Sequence, residues 1–175
     1  MDSKMMTIGI DPGFREMGCS VFRGTELIAA QLIENPTKKG HDYKAAKSMF
    51  WALVDYLKHE GVTGTSNYLM YGEPLDINMC IEAPQVYRAS LQKGDPNILV
   101  ALAGFSYTMA TLAENPILYK PKEWKGNLPK EIMLNRIEAK LTTAERGRIQ
   151  CRLKSKLHNV QDAVGIGLYH LGRLK

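Results

Sequence analysis

Two apolar segments of this sequence each carry one acidic residue at their carboxyl end, and this feature restricts the fold more than any other. Residues 5–10 form an apolar run that leads into Asp11, and Glu82 stands near the end of a second run at 77–83. Burying an isolated carboxylate is expensive unless a cation compensates it. If the two runs are neighbouring strands, their acids meet, and the pattern predicts a shared metal ion. The alternative is that each acid caps a strand and faces solvent, since Asp11 also begins an Asp-Pro-Gly turn signal.

Hydrophobic periodicity predicts a mixed sheet covered by helices. Short apolar runs favour strands, and apolar residues at three- and four-residue spacing favour amphipathic helices. In chain order we predict three strands in an antiparallel meander (5–10, 18–23 and 27–33), a helix (41–60), a loop or small insertion (61–74), a strand (77–83), a helix (97–112), a brief strand (117–119) and two helices (129–141 and 158–174). This order predicts an α/β fold whose five-stranded sheet combines the meander with two parallel strands.

The chain has 175 residues, which is the size of one ordinary domain. We therefore expect a single domain over 1–175, able to bury roughly two thirds of its unfolded surface without disulfides. Two full domains, as a sugar kinase or a chaperone ATPase needs, do not fit this length. Cys19, Cys80 and Cys151 are odd in number and widely spaced, so we expect reduced core cysteines. The sequence shows no secretory signal and no run long enough to span a bilayer, and we expect a cytoplasmic protein.

Positive charge is concentrated in one part of the chain. The segment 119–156 contains eleven basic and four acidic residues and so carries +7, whereas the whole chain carries a formal +5. A solvated helical face usually mixes its signs, and an excess of this size can neutralise several phosphates of a nucleic acid. Nucleic-acid binding and a merely soluble surface are equally compatible with the charge alone.

A third acid interrupts the last predicted helix. Asp162 is followed by small and apolar residues, which allow a helix to pack closely on a sheet while the acid points at the sheet edge. His158 and Asn159 precede Asp162 by four and three residues, so all three can share one face of the helix. The alternative is that Asp162 only interacts favourably with the positive N-terminal end of the helix dipole.

Three short motifs occur in order along these elements. They are Ile8-Gly9-Ile10-Asp11-Pro12-Gly13 at the first strand, Ile81-Glu82 followed by Gln85-Val86-Tyr87 at the fourth, and Asp162-Ala163 in the last helix. With these motifs and elements in this order and at this spacing, the chain resembles the RuvC-like Holliday-junction resolvases of the ribonuclease H-like superfamily. The resemblance covers nearly the whole chain. The first motif is fairly specific when a strand meander follows it, and the other two gain weight from their joint occurrence.

The resemblance implies a homodimeric endonuclease that binds four-way DNA junctions and nicks two strands symmetrically with Mg²⁺ or Mn²⁺. Asp11, Glu82 and Asp162 match the metal-binding acids of the family. The family's usual fourth acid is replaced by Asn159, so either Asn159 or the neighbouring His158 is expected to approach the metal, and a histidine ligand would favour Mn²⁺. Equally, His158 could merely bond to backbone at the helix start. The implied mechanism is hydrolysis with two ions about 3.5–4 Å apart and no side-chain nucleophile.

DNA binding is expected from the basic segment and from the loop after Glu82. In that loop Tyr87 could stack on an unpaired DNA base, or it could only pack at the base of the loop. Arg88 and Lys93 could contact phosphates. In the basic segment the expected phosphate contacts are Lys122, Lys125, Lys130, Arg146, Arg148, Arg152 and Lys154.

Three other functions share parts of this pattern. A ribonuclease H acting on RNA–DNA hybrids would use the same acids, and its substrate choice depends on contacts to the 2′-hydroxyl. A DNA-binding protein that retained the fold and lost cleavage is compatible with Asn159 in place of an acid. A phosphate-binding ATPase is suggested by the first motif, but the length of the chain argues against it, and no nucleotide cofactor is expected.

Overall fold

The computed structural model describes residues 5–37, 43–62, 64–84 and 96–174. The strands are β1 (Met6–Asp11), β2 (Glu16–Arg23), β3 (Glu26–Glu34), β4 (Leu75–Glu82), β5 (Ala113–Tyr119) and β6 (Ile149–Gln150). The helices are α1 (Tyr43–His59), α2 (Thr65–Tyr71), α3 (Pro96–Ala110), α4 (Pro121–Trp124), α5 (Lys130–Ala139), α6 (Thr143–Gly147) and α7 (Leu157–His170), with one 3₁₀ turn at Lys154–Lys156. Within the described ranges, no helix combines the length and the apolar character needed to cross a membrane.

The six strands found in the described residues form one mixed sheet in the order β5-β4-β1-β2-β3-β6. β1, β2 and β3 form the predicted antiparallel meander, and β4 and β5 add to β1 in parallel. The predicted total of five strands was wrong, because β6 pairs in parallel with β3 through Ala30 and Ile149. A two-residue strand is too short to carry a periodicity of its own, so the sequence alone does not reveal it.

Two further predictions of local structure needed correction. The segment 61–74, predicted as a loop or small insertion, contains helix α2 between Gly64 and Gly72, whose φ values of 88° and 72° are left-handed. β5 begins at Ala113 and not at 117, since it continues through Pro116. Proline lacks an amide donor, but β5 is an edge strand and tolerates it there.

Apolar side chains cover both faces of the sheet. On one face, Ile8 and Ile10 of β1 belong to a cluster that includes Leu53 of α1 and Phe105 of α3. On the other face, a second cluster joins Phe22 of β2 to α5 and to the predicted inner residues of α7, Val160, Val164 and Leu168. The predicted Leu171 belongs to the same cluster but follows the end of α7. Because side chains alternate along a strand, Gly9 and Asp11 lie on the α7 face.

Helix α7 lies unusually close to β1 and β2. A Cβ atom on Gly9 would be 2.2 Å from the carbonyl oxygen of Ala163, and one on Gly18 would be 1.9 Å from the carbonyl oxygen of Asn159. The Ser20 hydroxyl donates a hydrogen bond of 2.9 Å to the same Ala163 carbonyl. Glycine at these strand positions therefore lets the first half of α7 rest on the sheet backbone, beside the carboxyl end of β1.

The cysteines have no disulfide partners. Cys19 and Cys80 are buried in the core, as predicted, and burial raises the pKa of the Cys80 thiol to about 12. Cys151 was expected in the core as well, but it is only partly buried and lies beyond the end of β6.

Candidate active site

Three carboxylates from three different elements meet at one edge of the sheet. Asp11 ends β1 and Glu82 ends β4, and these parallel neighbours are paired through Ile10 and Ile81, so their carboxyl ends coincide. Asp162 lies in the first half of α7, which the glycine contacts hold against β1. The structure thus brings together the three acids that the sequence singled out.

The three acids act on one another electrostatically. Burial raises the pKa of Asp11 well above its usual range, and the negative charges of Glu82 and Asp162 raise it further. Burial also raises the pKa of Glu82 and of Asp162, against the opposing influence of the Lys125 ammonium. A cluster with these shifts holds negative charge that the protein only partly compensates, which is typical of functional sites.

Two consecutive residues at the end of α4 contact this cluster. The indole Nε1 of Trp124 donates a hydrogen bond of 3.0 Å to Glu82 Oε2, and Lys125 Nζ donates one of 3.1 Å to the same oxygen. Lys125 Nζ also lies 3.6 Å from Asp162 Oδ2 and 4.7 Å from the centre of the Trp124 ring. Burial acts to lower the pKa of Lys125, but the nearby carboxylates outweigh it and raise that pKa.

Packing on α7 fixes the position of Trp124. The indole is almost fully buried, and a Cβ atom on Gly165 would be 2.6 Å from its ring and 2.7 Å from Ile137. The absence of a side chain at Gly165 therefore leaves room for the ring one turn away from Asp162. Neither contact of Trp124 is predictable from the sequence, whose only signal is an aromatic residue within the basic segment.

The acids suit a divalent metal ion in their chemistry. Three carboxylates are the oxygen ligands that Mg²⁺ and Mn²⁺ prefer, and their partly uncompensated charge favours a cation. As the side chains stand, no group of three or more histidine, cysteine, aspartate or glutamate residues in the described parts of the chain could hold an ion. The three acids thus fit a divalent ion in donor type and in charge but not in their present arrangement, in which Lys125 supplies the positive charge between Glu82 and Asp162.

The two further metal-ligand predictions fall in the first turn of α7. His158 is partly buried, and its positive charge acts to lower the pKa of Asp162, so it lies near the cluster. Asn159 is also partly buried, and its backbone carbonyl group packs over Gly18. Ligation of a metal by either side chain remains a prediction.

The predicted DNA-binding residues divide into four groups, of which the fourth consists of two arginines engaged within the chain. Lys125 and Lys130 line a cavity of about 190 Å³ beside Asp162, together with Leu128 and Met133. Lys122, Arg152 and Lys154 are exposed. Tyr87, Arg88 and Lys93 lie outside the described residues.

Two arginines of the DNA-binding prediction are engaged within the chain. The Arg148 guanidinium donates to Glu26 Oε1 at 2.6 Å and to the Leu27 carbonyl at 2.7 Å. The Arg146 guanidinium donates to the Glu138 carbonyl at 3.0 and 3.2 Å. These hydrogen bonds tie the two arginines to β3 and α5. Arg146 and Arg148 therefore have a structural role in addition to any contact with phosphate.

Comparison with known proteins finds similarity in structure and none in sequence. No protein-family model matches the chain, and no curated protein matches it. Thermus thermophilus RuvC in complex with a Holliday junction substrate superimposes with a TM-score of 0.58 at 17% identity, over 95% of this chain and 92% of that chain. A second Thermus thermophilus RuvC structure gives a TM-score of 0.56 at 17% identity, over 95% of this chain and 93% of that chain. The chain therefore has the ribonuclease H-like fold of RuvC, with three acids gathered at one edge of its sheet.

Proposed function

We propose that this protein is a metal-dependent endonuclease that binds four-way DNA junctions and resolves them by paired nicks during recombination or repair. The observation that carries the proposal is the meeting of Asp11, Glu82 and Asp162, contributed by three separate elements, at one sheet edge. Support comes from the fold. One of the two RuvC structures that resemble this chain contains a bound Holliday junction substrate. Fold alone does not fix function, so the acids are the main argument.

The metal in this proposal is Mg²⁺ or Mn²⁺, held by Asp11, Glu82 and Asp162, with His158 or Asn159 nearby. Two such ions would supply an activated water and a positive charge for the leaving 3′ oxygen. The protein's own part is to hold the three carboxylates together at one edge of the sheet, although burial by itself disfavours their ionised form. Trp124 contributes by donating to Glu82, which favours the ionised carboxylate. No side-chain nucleophile is required, and the Cys19 thiol is fully buried in the core.

The DNA backbone would lie along the basic surface next to the acids. Lys130 lines the cavity that also contains Asp162, and Lys122 is exposed three residues before Lys125. Lysines at these places would contact phosphates without reading sequence, as a junction-selective enzyme needs. Arg152 and Lys154 are exposed further along the segment and would extend the same surface.

We place the homodimer contact on helix α3. Gly104, Tyr107 and Thr108 are exposed on one face of this helix, beside the sheet-packed Phe105 and Met109, and the exposed Thr111 follows its end. Ser106 and Ala110 of the same helix are buried within the chain and are not part of this face. Tyrosine is enriched in protein–protein interfaces, so Tyr107 among small side chains suits a contact with a second copy of the chain.

Light scattering coupled to size-exclusion chromatography tests the dimer. We expect a dimer at micromolar concentration, and Tyr107→Glu should convert it to a monomer because a carboxylate would be buried in the contact. Tyr71→Glu is the matched control, since Tyr71 is equally exposed but lies on α2. A monomeric wild-type protein, or a dimer that Tyr107→Glu leaves intact, would contradict this contact.

A panel of substrates tests the activity. A labelled four-way junction, a linear duplex and an RNA–DNA hybrid are incubated with Mg²⁺, with Mn²⁺ or with chelator. We expect paired symmetrical nicks in the junction, no cleavage of the duplex and no cleavage with chelator. Cleavage of the hybrid in preference to the junction would identify a ribonuclease H. Tight junction binding without cleavage under every condition would identify a binding protein that has lost catalysis.

A further inference from the structure

Lys125 holds a position that surface lysines seldom occupy. Its Nζ atom lies 3.1 Å from Glu82 Oε2 and 3.6 Å from Asp162 Oδ2, so one ammonium bridges carboxylates from two different elements. The three side chains are 28%, 17% and 18% exposed, respectively. The ion pairs are therefore screened less than those of an open surface.

The surroundings of Lys125 hold the ammonium at this place. The residue follows α4 directly, and its backbone amide bonds to the carbonyl of Pro121 at 3.0 Å. The buried Trp124 beside it donates to the same oxygen of Glu82, and the ammonium lies over the indole ring at 4.7 Å. Cation–π attraction adds to the two ion pairs.

A divalent ion and this ammonium need the same carboxylate oxygens. An ion held by Glu82 and Asp162 replaces hydrogen bonds to those carboxylates with metal–oxygen bonds, and two cations so close together repel. The lysine side chain is a flexible four-carbon stem, so the ammonium can withdraw while the backbone stays in place. The ring of Trp124 offers it a contact that does not use the acids.

We propose that Lys125 is a resident counter-ion of the acid cluster, which a divalent ion must displace from Glu82 and Asp162 in order to bind. Lys125 thus stabilises the metal-free protein and lowers its affinity for the ion. This inference rests on the proposed metal-dependent function. Linkage makes the competition reciprocal, so removing the ammonium should tighten ion binding by a factor typical of such coupling, about 5- to 150-fold.

Calorimetric titration of the DNA-free protein with Mn²⁺ and with Mg²⁺ tests the competition. Lys125→Met keeps the length of the side chain and removes the charge, and we expect it to bind Mn²⁺ at least about fivefold more tightly than wild type. Lys125→Arg keeps a cation and should stay near the wild-type affinity. Lys58→Met is the control for net charge, since Lys58 is exposed on α1, and it should not change the affinity. Lys125→Gln serves as the second neutral variant if Lys125→Met does not fold.

Each outcome separates the counter-ion from the metal site itself. Tighter binding by the neutral variants, or binding by them alone, supports displacement. Equal or weaker binding by the neutral variants, with clear binding by wild type and loss in Asp11→Asn, overturns the counter-ion and leaves the metal site standing. Absence of binding in wild type and in every neutral variant overturns the metal dependence in the proposed function, and the counter-ion with it.

Discussion

Asp11 is the residue at which the proposed function and the stability of the fold conflict most directly. Burial and two neighbouring carboxylates raise its pKa, which means that folding disfavours the ionised form. A carboxyl group with a raised pKa stabilises the folded state below its unfolded pKa, and this contribution is lost as the pH rises through the folded pKa. At neutral pH, in the absence of metal, Asp11 should therefore be a source of instability.

Asp11→Asn should stabilise the metal-free protein at neutral pH. An amide of the same shape carries no charge, and relief of a destabilising active-site residue commonly adds about 0.5–2 kcal/mol to the free energy of unfolding. Urea denaturation in chelator at pH 7 measures the gain, which should disappear at acid pH where Asp11 is protonated. Asp55→Asn, an exposed change on α1, is the control. A variant less stable than wild type at pH 7 would show that the Asp11 carboxylate is compensated within the protein.

Trp124→Phe should shift the pH dependence of cleavage. The hydrogen bond from the indole acts to lower the pKa of Glu82, so its loss should raise that pKa and move the acidic limb of the pH–rate profile to higher pH. Loss of such a supporting hydrogen bond also weakens activity by about 10- to 100-fold. Kinetics at several pH values measure both effects, with Trp51→Phe on α1 as the control. An unchanged acidic limb would mean that Trp124 serves only to pack on Gly165.

At the level of elements, the contact of α7 with β1 and β2 decides where Asp162 lies. Gly9 and Gly18 leave no side chain between helix and sheet, and Ser20 bonds to the helix backbone at Ala163. A helix displaced by the thickness of a methyl group would carry Asp162 away from Asp11. The glycines of the strands therefore decide where Asp162 lies relative to Asp11.

Gly9→Ala should destabilise the fold through overpacking. The added Cβ would lie 2.2 Å from the Ala163 carbonyl oxygen. Because this oxygen belongs to the helix backbone, it cannot rotate away as a side chain could. The expected loss is about 1–3 kcal/mol in the free energy of unfolding, measured by urea denaturation. Gly147→Ala at the end of α6 is the control, because a Cβ there has no neighbour within 4 Å. Equal stability of Gly9→Ala and wild type would mean that α7 can move off the sheet at little cost.

The positions of the three acids were predictable because each lies on an element with a strong local signal. Asp11 and Glu82 end apolar strands, and Asp162 interrupts a helix whose apolar period is clear. Trp124 and Lys125 were not predictable as neighbours of Glu82, because 42 and 43 positions separate them from it in the sequence. Their contact exists only once α4 packs against α7.

The same contrast applies to secondary structure. The meander and the long helices have enough residues to display a period, and their predicted bounds agree with the structure within a few positions. Helix α2 and strand β6 have seven and two residues, and tertiary contacts decide their conformation. β5 was predicted too short because Pro116 was read as a break, whereas its edge position removes the objection to proline.

For the whole molecule, a partly buried ion pair ties the residues that follow α7 to α6 and the sheet. The Arg173 guanidinium donates to both carboxylate oxygens of Glu145, at 2.6 and 3.0 Å, and also to the carbonyls of Thr25 and Lys140. Burial acts to raise the pKa of Glu145, but the hydrogen bonds from Arg173 and from the amides of Leu27 and Thr142 outweigh it and lower the pKa to about 2. This pair connects α6, the β2–β3 turn and the residues after α7.

Glu145→Gln should lower stability in a pH-dependent manner. A carboxylate with a lowered pKa stabilises the fold above its unfolded pKa and loses that contribution as the pH falls through about 2. Removing the charge of Glu145 weakens its charge-assisted hydrogen bonds with the partly exposed Arg173, so we expect a loss of about 1.5–3 kcal/mol at pH 7 that shrinks between about pH 4.5 and 2. Thermal denaturation across this range measures it, with exposed Glu131→Gln as the control. A loss independent of pH would contradict the ionic origin of the effect.

Isosteric substitution of the three acids tests the active site most directly. Asp11→Asn, Glu82→Gln and Asp162→Asn keep the shape of each side chain and remove its charge. Cleavage of a labelled four-way junction in Mn²⁺ and binding of the same junction in chelator are measured for each variant and for wild type. We predict that wild type cleaves, that each variant loses about 100-fold or more of the cleavage rate, and that junction binding is retained. Cleavage by Asp11→Asn or Glu82→Gln at the wild-type rate would contradict the assignment of these carboxylates as the catalytic centre.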